Sequence, residues 1–342
     1  MSIVPSPDTE QELFANSVFS PHLTVSRSMP ATSIAWYPFM DAYQDPSNCC
    51  FLVGSTDHPL HLIDCLTGET RGSYPIINHR EQFIGPTSIT FHPGGRWVYC
   101  GFENMIQIID VTRPGWEGWK QATSPSRKEQ VGQKGMISCL EFQPGYTAEG
   151  AGIYAAGSFF GSVGLYDERQ GSMGNIPAQL FPNNPLLRGR GITHLQFNPT
   201  NANLLYIGAR RSSAILEFDI RQPNYPAQVF PRSLNTDQRL SFDVRHNHLV
   251  TGDQNGRISI FDLAHPQHEV KESINWAIPA YQFQVQEGLG AIGSAQFHPT
   301  LPILMTASGS RIHDPLGDSA APDESFLKLW SLPYKQRLYS ET

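Results

Sequence analysis

One three-part unit recurs six times along this chain and leaves few folds open to it. Its first part reads "SIAWYP" at 33–38, "SITFHP" at 88–93, "SCLEFQP" at 138–144, "THLQFNP" at 193–199 and "GSAQFHP" at 293–299, with "RLSFDV" at 239–244 lacking only the proline. A turn and a short apolar run ending near glycine follow: "CCFLVGS", "WVYCGF", "GIYAAGS", "LLYIGAR", "HLVTGD" and "ILMTASGS". The third part alternates and mostly closes on aspartate: "LHLID", "IQIID", "VGLYD", "AILEFD", "ISIFD" and finally "LKLW". Alternation over about five residues between Gly, Pro, Asn and Asp marks a half-buried strand. Each unit is therefore strand, turn, strand, Gly-rich turn, strand.

A small sheet with two apolar faces cannot bury both alone. Repeated, such sheets stack as blades and bury one another, which predicts an all-β propeller. The anchors Trp36, Phe91, Phe142, Phe197, Phe242 and Phe297 lie 55, 51, 55, 45 and 55 residues apart. Trp-Asp repeats run about 40–45 residues. The excess falls at 113–135, 171–189, 222–238 and 264–290, read as outer strands with long surface loops. A further loop, "RIHDPLGDSAAPDE", interrupts the last unit. Composition agrees: 16% charged, with 29 Gly and 27 Pro, favours short strands and many turns over long helices.

The anchoring aromatic is expected to point inward from the innermost strand, and the proline to end that strand because it donates nothing to the ladder. His92 and His298 sit between the two. Gln143, Asn198 and Tyr37 take the same slot. A slot so variously filled asks for no chemistry, so these histidines are expected to point away from the core. Only 35 residues precede Trp36, too few for another blade, although "HLTVSR" at 22–27 suits one outer strand. Either six blades close with that strand or a seventh is largely missing. The divisions are then an N-terminal segment over 1–28, the propeller over 29–335 and a tail over 336–342.

The repeats resemble Trp-Asp propellers, with "LYD", "EFD" and "IFD" where that dipeptide would stand. More narrowly, "HPLHLIDCLTGETRGSY" at 58–74, "IINHREQF", "TSITFHPGGRWVYCGF" at 87–102, "GMISCLEFQP" at 135–144, "GSFFGSVGLYD" at 157–167, "GITHLQFNP" at 191–199 and "LPILMTASGSRI" at 301–312 resemble, in order, the telomerase Cajal body protein family. The likeness runs over about 22–332. It implies seven blades, one of them preceding the unit at Trp36, so the chain is expected to begin near the linker after that repeat. It also implies a protein that is not an enzyme and has no cofactor. Such proteins bind small nuclear or Cajal-body RNA, telomerase RNA among them, and work in the nucleus with ribonucleoprotein proteins. Related fungal members are linked to pre-mRNA splicing.

The formal charge of −7 argues against bulk attraction to nucleic acid, but it is unevenly spread. From Arg113 to Arg211, ten Lys/Arg face six Asp/Glu, a surplus of four, which leaves −11 elsewhere. In a propeller, the loop entering each blade and the turn between its second and third strands open on one face. Lys134, Arg190 and Arg239 stand just before an inner strand. Arg210, Arg211, Phe159 and Phe160 stand in inter-strand turns. Lys134, Phe160, Arg190, Arg210, Arg211 and Arg239 are therefore the candidate RNA-binding residues. Guanidinium groups would meet phosphates and rings would lie under splayed bases. Ordinary solvated arginines would leave the same composition.

The rival reading is a protein-interaction scaffold or substrate receptor, since a propeller does not fix a function. An enzyme finds less support. No nucleophile-elbow, phosphate-loop or H-E-x-x-H motif occurs. "HPLH" at 58–61 and "RHNH" at 245–248 are tight histidine pairs, with His246 and His248 expected on one strand face but without a third metal ligand. The five cysteines form no C-x-x-C pair, and adjacent Cys49 and Cys50 read as small buried residues of an intracellular chain. No membrane segment, secretory signal or small-molecule substrate is indicated.

Overall fold

The computed structural model describes residues 22–125, 131–145, 152–170, 187, 190–271, 274–285, 290–309 and 326–332, with the backbone alone at 2–3 and 178–180. The chain divides into two compact units: residues 1–156 with 164–178, and 157–163 with 179–342. Strands β1 (Ser2–Ile3) and β2 (Leu23–Thr24) form a two-stranded sheet of their own. The strand expected at 22–27 is thus not an outer blade strand. Val25 instead packs on Phe51, Val53 and Ile63. The loop at 311–324 and the tail at 336–342 lie outside the described residues.

Six blades of a β-propeller follow. The first is β3 (Ala31–Trp36), β4 (Cys50–Ser55), β5 (Leu60–Asp64) and β6 (Thr70–Tyr74). The second is β7 (Ser88–Phe91), β8 (Trp97–Phe102), β9 (Met105–Asp110) and β10 (Trp119–Ala122). The third is β11 (Ile137–Phe142), β12 (Ile153–Ser158), β13 (Val163–Asp167) and β14 (Ala178–Leu180), with the hairpin tip 157–163 counted in the second unit. The fourth is β15 (Ile192–Phe197), β16 (Leu204–Ala209), β17 (Ala214–Asp219) and β18 (Gln228–Pro231). The fifth starts with β19 (Phe242–Arg245), β20 (His248–Gly252) and β21 (Arg257–Asp262). The chain then adds a hairpin, β22 (His268–Lys271) and β23 (Ile274–Ala277), to the open edge of β18. It returns as β24 (Tyr281–Gln284) to complete the fifth blade. The sixth is β25 (Ile292–Phe297), β26 (Ile303–Ser308) and β27 (Phe326–Ser331). Outer strands therefore occupy all four inter-unit stretches, and 264–290 carries two strands more than expected. No helix among the described residues is long and apolar enough to cross a membrane.

The anchoring aromatics do not point to a common centre. Four of them pack back on the preceding blade. Phe91 joins a core with Leu52, Leu60 and Tyr74 of the first blade, and Phe142 joins Tyr99, Ile106 and Ile108 of the second. Phe242 meets Tyr206 and Phe230, and Phe297 packs against Val250 and Ile258. Trp36 has no preceding blade among the described residues. It stays 50% exposed, with its ring 5.0 Å from Phe51.

Two repeated polar residues are explained by local bonds. Hydroxyls at the start of three inner strands latch blade to blade. Thr32 Oγ1 donates to the Pro86 carbonyl at 2.8 Å, Ser88 Oγ to Ile137 at 2.9 Å and Ser241 Oγ to Gly293 at 3.4 Å. Each such bond contributes about 1 kcal/mol. The aspartate that closes the third strand caps the next turn. Asp64 accepts from the Leu66 N–H, Asp110 from Thr112, Asp167 from Arg169, Asp219 from Arg221 and Asp262 from Ala264. Burial opposes ionisation of Asp110, but the Arg96 guanidinium and both Thr112 donors outweigh it and hold the carboxyl down at about 2.

The variable slot before proline corrects the sequence reading. His92 is buried, its ring 5.2 Å from Phe142, and its Nδ1 accepts from the Gly94 N–H. His298 Nδ1 accepts from Leu301, and Asn198 Oδ1 from Thr200 and Asn201. What the slot supplies at these three positions is an acceptor for the turn. In the second blade it does more. His92 Nε2 lies 3.4 Å from Glu168 Oε2, which also accepts from Gly152 N, while Tyr99 donates to Oε1. Tyr99 and Tyr206 share one place in the second strand, opposite Thr90 and Gln196, while Tyr154 stands one position earlier in its own; all three hydroxyls are hydrogen-bonded.

Burial of Glu168 works against its charge, yet the bonds from His92, Tyr99 and Gly152 prevail and its carboxyl titrates below the usual range. A depressed folded-state value means stabilisation that is complete above the ordinary glutamate value of 4.5 and lost as pH falls through the folded value. Glu168→Gln is expected to lower Tm at pH 7 and to shrink the further drop on acidification to pH 3. Thermal melts of both proteins across that range check it, and parallel melting curves would refute it.

Candidate nucleic-acid interface

In the second unit, one run of turns holds five of the six candidate residues. The hairpin tip after β12 is Phe159-Phe160-Gly161-Ser162. Gly161 adopts φ +83°, and a Cβ there would lie 2.7 Å from both the Leu187 and Arg190 carbonyls. At Gly191 it would lie 3.0 Å from the Phe159 carbonyl. Glycine is therefore required where the tip settles on this segment. Phe159 is half-buried, and the Arg210 guanidinium lies over its ring at 4.0 Å. Phe160, one residue on, is 74% exposed.

Arg210 and Arg211 form the turn between β16 and β17. The Arg210 N–H donates to Gly191 at 2.8 Å, which ties this turn to the same segment, and its Nε is buried without a hydrogen-bond partner. Arg211 is held in the left-handed region at φ 48°. Its N–H donates to Thr236, and its guanidinium bonds Asp237. Arg211, Asn235, Thr236, Asp237 and Gln238 line an open depression of roughly 540 Å³. Gln238 Nε2 donates to the Gly309 carbonyl at 2.6 Å, and the Gln254 N–H donates to Ser233 at 3.0 Å. The turns of the fourth, fifth and sixth blades are thus joined through the segment 233–238.

Arg239 is exposed on the same segment. Two further basic groups belong to this region, Arg232 buried and His194 half-buried. Arg232 is 6% exposed, reaches the Leu240 carbonyl at 3.4 Å and Thr251 Oγ1 at 3.5 Å, and is pushed down to about 10 by burial. His194 packs at 4.5 Å on Phe242 and is pushed down to about 3, first by burial and then by the charges of Arg239 and Arg232. The imidazole is therefore neutral at pH 7 and adds no cation.

Lys134 belongs to the first unit, in the loop before β11. Its neighbour Gly135 exchanges bonds with Asn104, N–H to Oδ1 at 2.8 Å and carbonyl to N–H at 2.9 Å. Gln133 Nε2 donates to the Ala156 carbonyl. Lys134 is half-buried between these anchors.

The six residues are thus unequal. Arg211 already spends its charge on Asp237. Arg190, Arg210 and Arg239 have no carboxylate within ion-pair distance among the described residues. Beside them stands the exposed Phe160 ring. Three uncompensated guanidinium groups and a free aromatic face can take phosphate and stacked base together. Sequence reasoning missed the segment 233–238, whose polar side chains carry no motif, and the buried Arg232.

His246 and Asn247 both have positive φ, at 49° and 57°, and form the turn between β19 and β20. His246 therefore lies off the strand face expected for it. No group of three potential metal ligands occurs among the described residues.

No family model matches the sequence. The human protein telomerase Cajal body protein 1 is 33% identical over 279 residues, an alignment covering 81% of this chain and 46% of that protein. The chain is a relative of telomerase Cajal body protein 1. The telomerase Cajal body protein 1 homolog of Drosophila melanogaster is 26% identical over 310 residues, 89% of this chain and 51% of that protein. The Guanine nucleotide-binding protein negative regulator 1 of Schizosaccharomyces pombe is 29% identical over 262 residues, 75% of this chain and 63% of that protein. The chain spans about half the length of the telomerase Cajal body protein 1 sequences it matches.

Proposed function

We propose that this chain is a non-enzymatic RNA-binding scaffold of the nucleus. It recognises small nuclear or Cajal-body-type RNA, with telomerase RNA as one candidate, and supports ribonucleoprotein assembly, localisation or pre-mRNA splicing. The observation that carries the reading is Phe160, 74% exposed, on the run of turns that bears the unpaired Arg190, Arg210 and Arg239. Its relatives' names place those proteins with telomerase and the Cajal body. An acidic chain gains little from general attraction to RNA, so recognition rests on this local grouping and on unstacked bases.

The test is crosslinking and sequencing of RNA bound to the protein in its own cells. The expected result is enrichment of a few small nuclear or telomerase RNAs. No enrichment over background would transfer the reading to a protein-interaction scaffold.

A further inference from the structure

In the first unit, the second blade carries a concentration of indole. Three of the chain's six tryptophans, Trp97, Trp116 and Trp119, touch in series. Trp97 and Trp119 have centroids 4.8 Å apart, and Trp116 and Trp119 meet edge to face at 4.9 Å. The sequence "RPGWEGWK" at 113–120 builds this ladder. Gly115 and Gly118 both take positive φ, and a Cβ on Gly118 would lie 2.0 Å from the Ile108 carbonyl. That glycine brings Trp116 and Trp119 onto the edge of β9. Trp119 nevertheless remains 46% exposed.

Arginines close both ends of the ladder. Arg96 lies over Trp97 at 4.8 Å and Arg113 over Trp116 at 5.9 Å. Both lean on one carboxylate, the buried Asp110, at 2.8 and 3.8 Å. Lys120 is met by Glu117 at 3.5 Å. Three cations thus face two carboxylates, and the arginine side chains stay 52% and 64% exposed. The ladder ends on β10, the outermost strand of its sheet, paired on one side only among the described residues. A strand edge of this kind presents unpaired backbone donors and acceptors.

The same chain shows how such an edge is used. In the fourth blade the corresponding strand, β18, accepts β23 alongside it in parallel, with Trp276 opposite Val229. Among the described residues, the second blade has the edge without the added strand.

We propose that the outer edge of the second blade docks an extended segment of a partner protein, alternating apolar and acidic residues, that pairs with β10. An apolar side chain of that segment covers Trp119, and a carboxylate takes the free side of Arg113, the more exposed of the two arginines. Main-chain bonds give such an addition its affinity and alternate side chains its specificity. The excess positive charge and the single open indole select acidic and apolar positions. A nucleic acid fits less well. The outer faces of Trp97 and Trp116 already carry arginines, and a backbone edge matches a peptide, not a phosphate chain.

The test uses the full chain and four fluorescein-labelled twelve-residue peptides followed by anisotropy. One alternates Glu and Val, one Lys and Val, and one Glu and Ser. The fourth is the Glu-Val peptide with alternate amides N-methylated. Saturable binding is expected for the Glu-Val peptide, with the other three at least about tenfold weaker. Trp119→Thr is expected to weaken it by about thirtyfold, as for a central aromatic contact. Arg113→Gln, on an exposed side chain that leaves the fold intact, weakens it several-fold and flattens its salt dependence. Four peptides bound alike, no saturable binding, or unchanged affinity in either variant would overturn the proposal. So would displacement of the peptide by a fifteen-residue oligouridine, which would mark the ladder as a nucleic-acid site.

Discussion

Replacing Phe197 with alanine is expected to cost about 3–5 kcal/mol, the usual range for a phenylalanine removed from a closed core. The side chain is 3% exposed and stands on an inner strand, opposite Leu205 in the register with β16. Neighbouring backbone is fixed by two ladders, so the cavity has little freedom to collapse. Trp36→Ala is the matching control. It removes a larger ring from the same repeat position, but that ring is 50% exposed, and the loss should stay below about 1.5 kcal/mol. Urea unfolding of both variants, with midpoint and slope compared, decides the point. A Phe197→Ala loss under about 1 kcal/mol would refute the closed packing of this anchor.

Reversing two charges, Arg190→Glu with Arg210→Glu, is expected to reduce affinity for the RNAs recovered by crosslinking at least about 100-fold. Each lost phosphate contact on a single strand also lowers the salt slope by about 0.7, so the double variant should flatten it by at least about 1.4. Arg211→Ala should matter only several-fold, because Asp237 already holds that guanidinium. Binding curves at three salt concentrations, with circular dichroism to show an intact fold, separate these outcomes. Unchanged affinity in the folded double variant would remove Arg190 and Arg210 from the interface.

Strand positions were legible because each obeys a local rule. Alternation, a Gly-rich turn and a closing aspartate act within about fifteen residues, and the aspartate caps a turn two residues away. What depends on another blade was not legible. His92 looked replaceable because its slot varies, yet its other nitrogen meets Glu168, 76 positions later in the chain. Arg211 looked as free as Arg210, and only the fold brings Asp237 to it. The ladder of Trp97, Trp116 and Trp119 joins a predicted strand to a stretch read as an outer strand with a long surface loop, and it went unseen because three indoles on two strands and a turn share no period. Phe160 was legible in part. Two adjacent phenylalanines at a glycine turn signal one ring in and one ring out, but not which is which.

The hairpin of β22 and β23 has a consequence for how the chain is made. Elsewhere in these blades a sheet is finished by strands that follow one another closely. Here the fourth blade stays open at β18 until residue 277 has been synthesised, and the fifth until residue 284. A protein emerging from the ribosome can settle its earlier blades one at a time, but these two must wait and close together. Until they do, the edge of β18 and the apolar face around Phe230 and Phe261 have no cover from this hairpin. That interval is where a folding helper would have the most to protect.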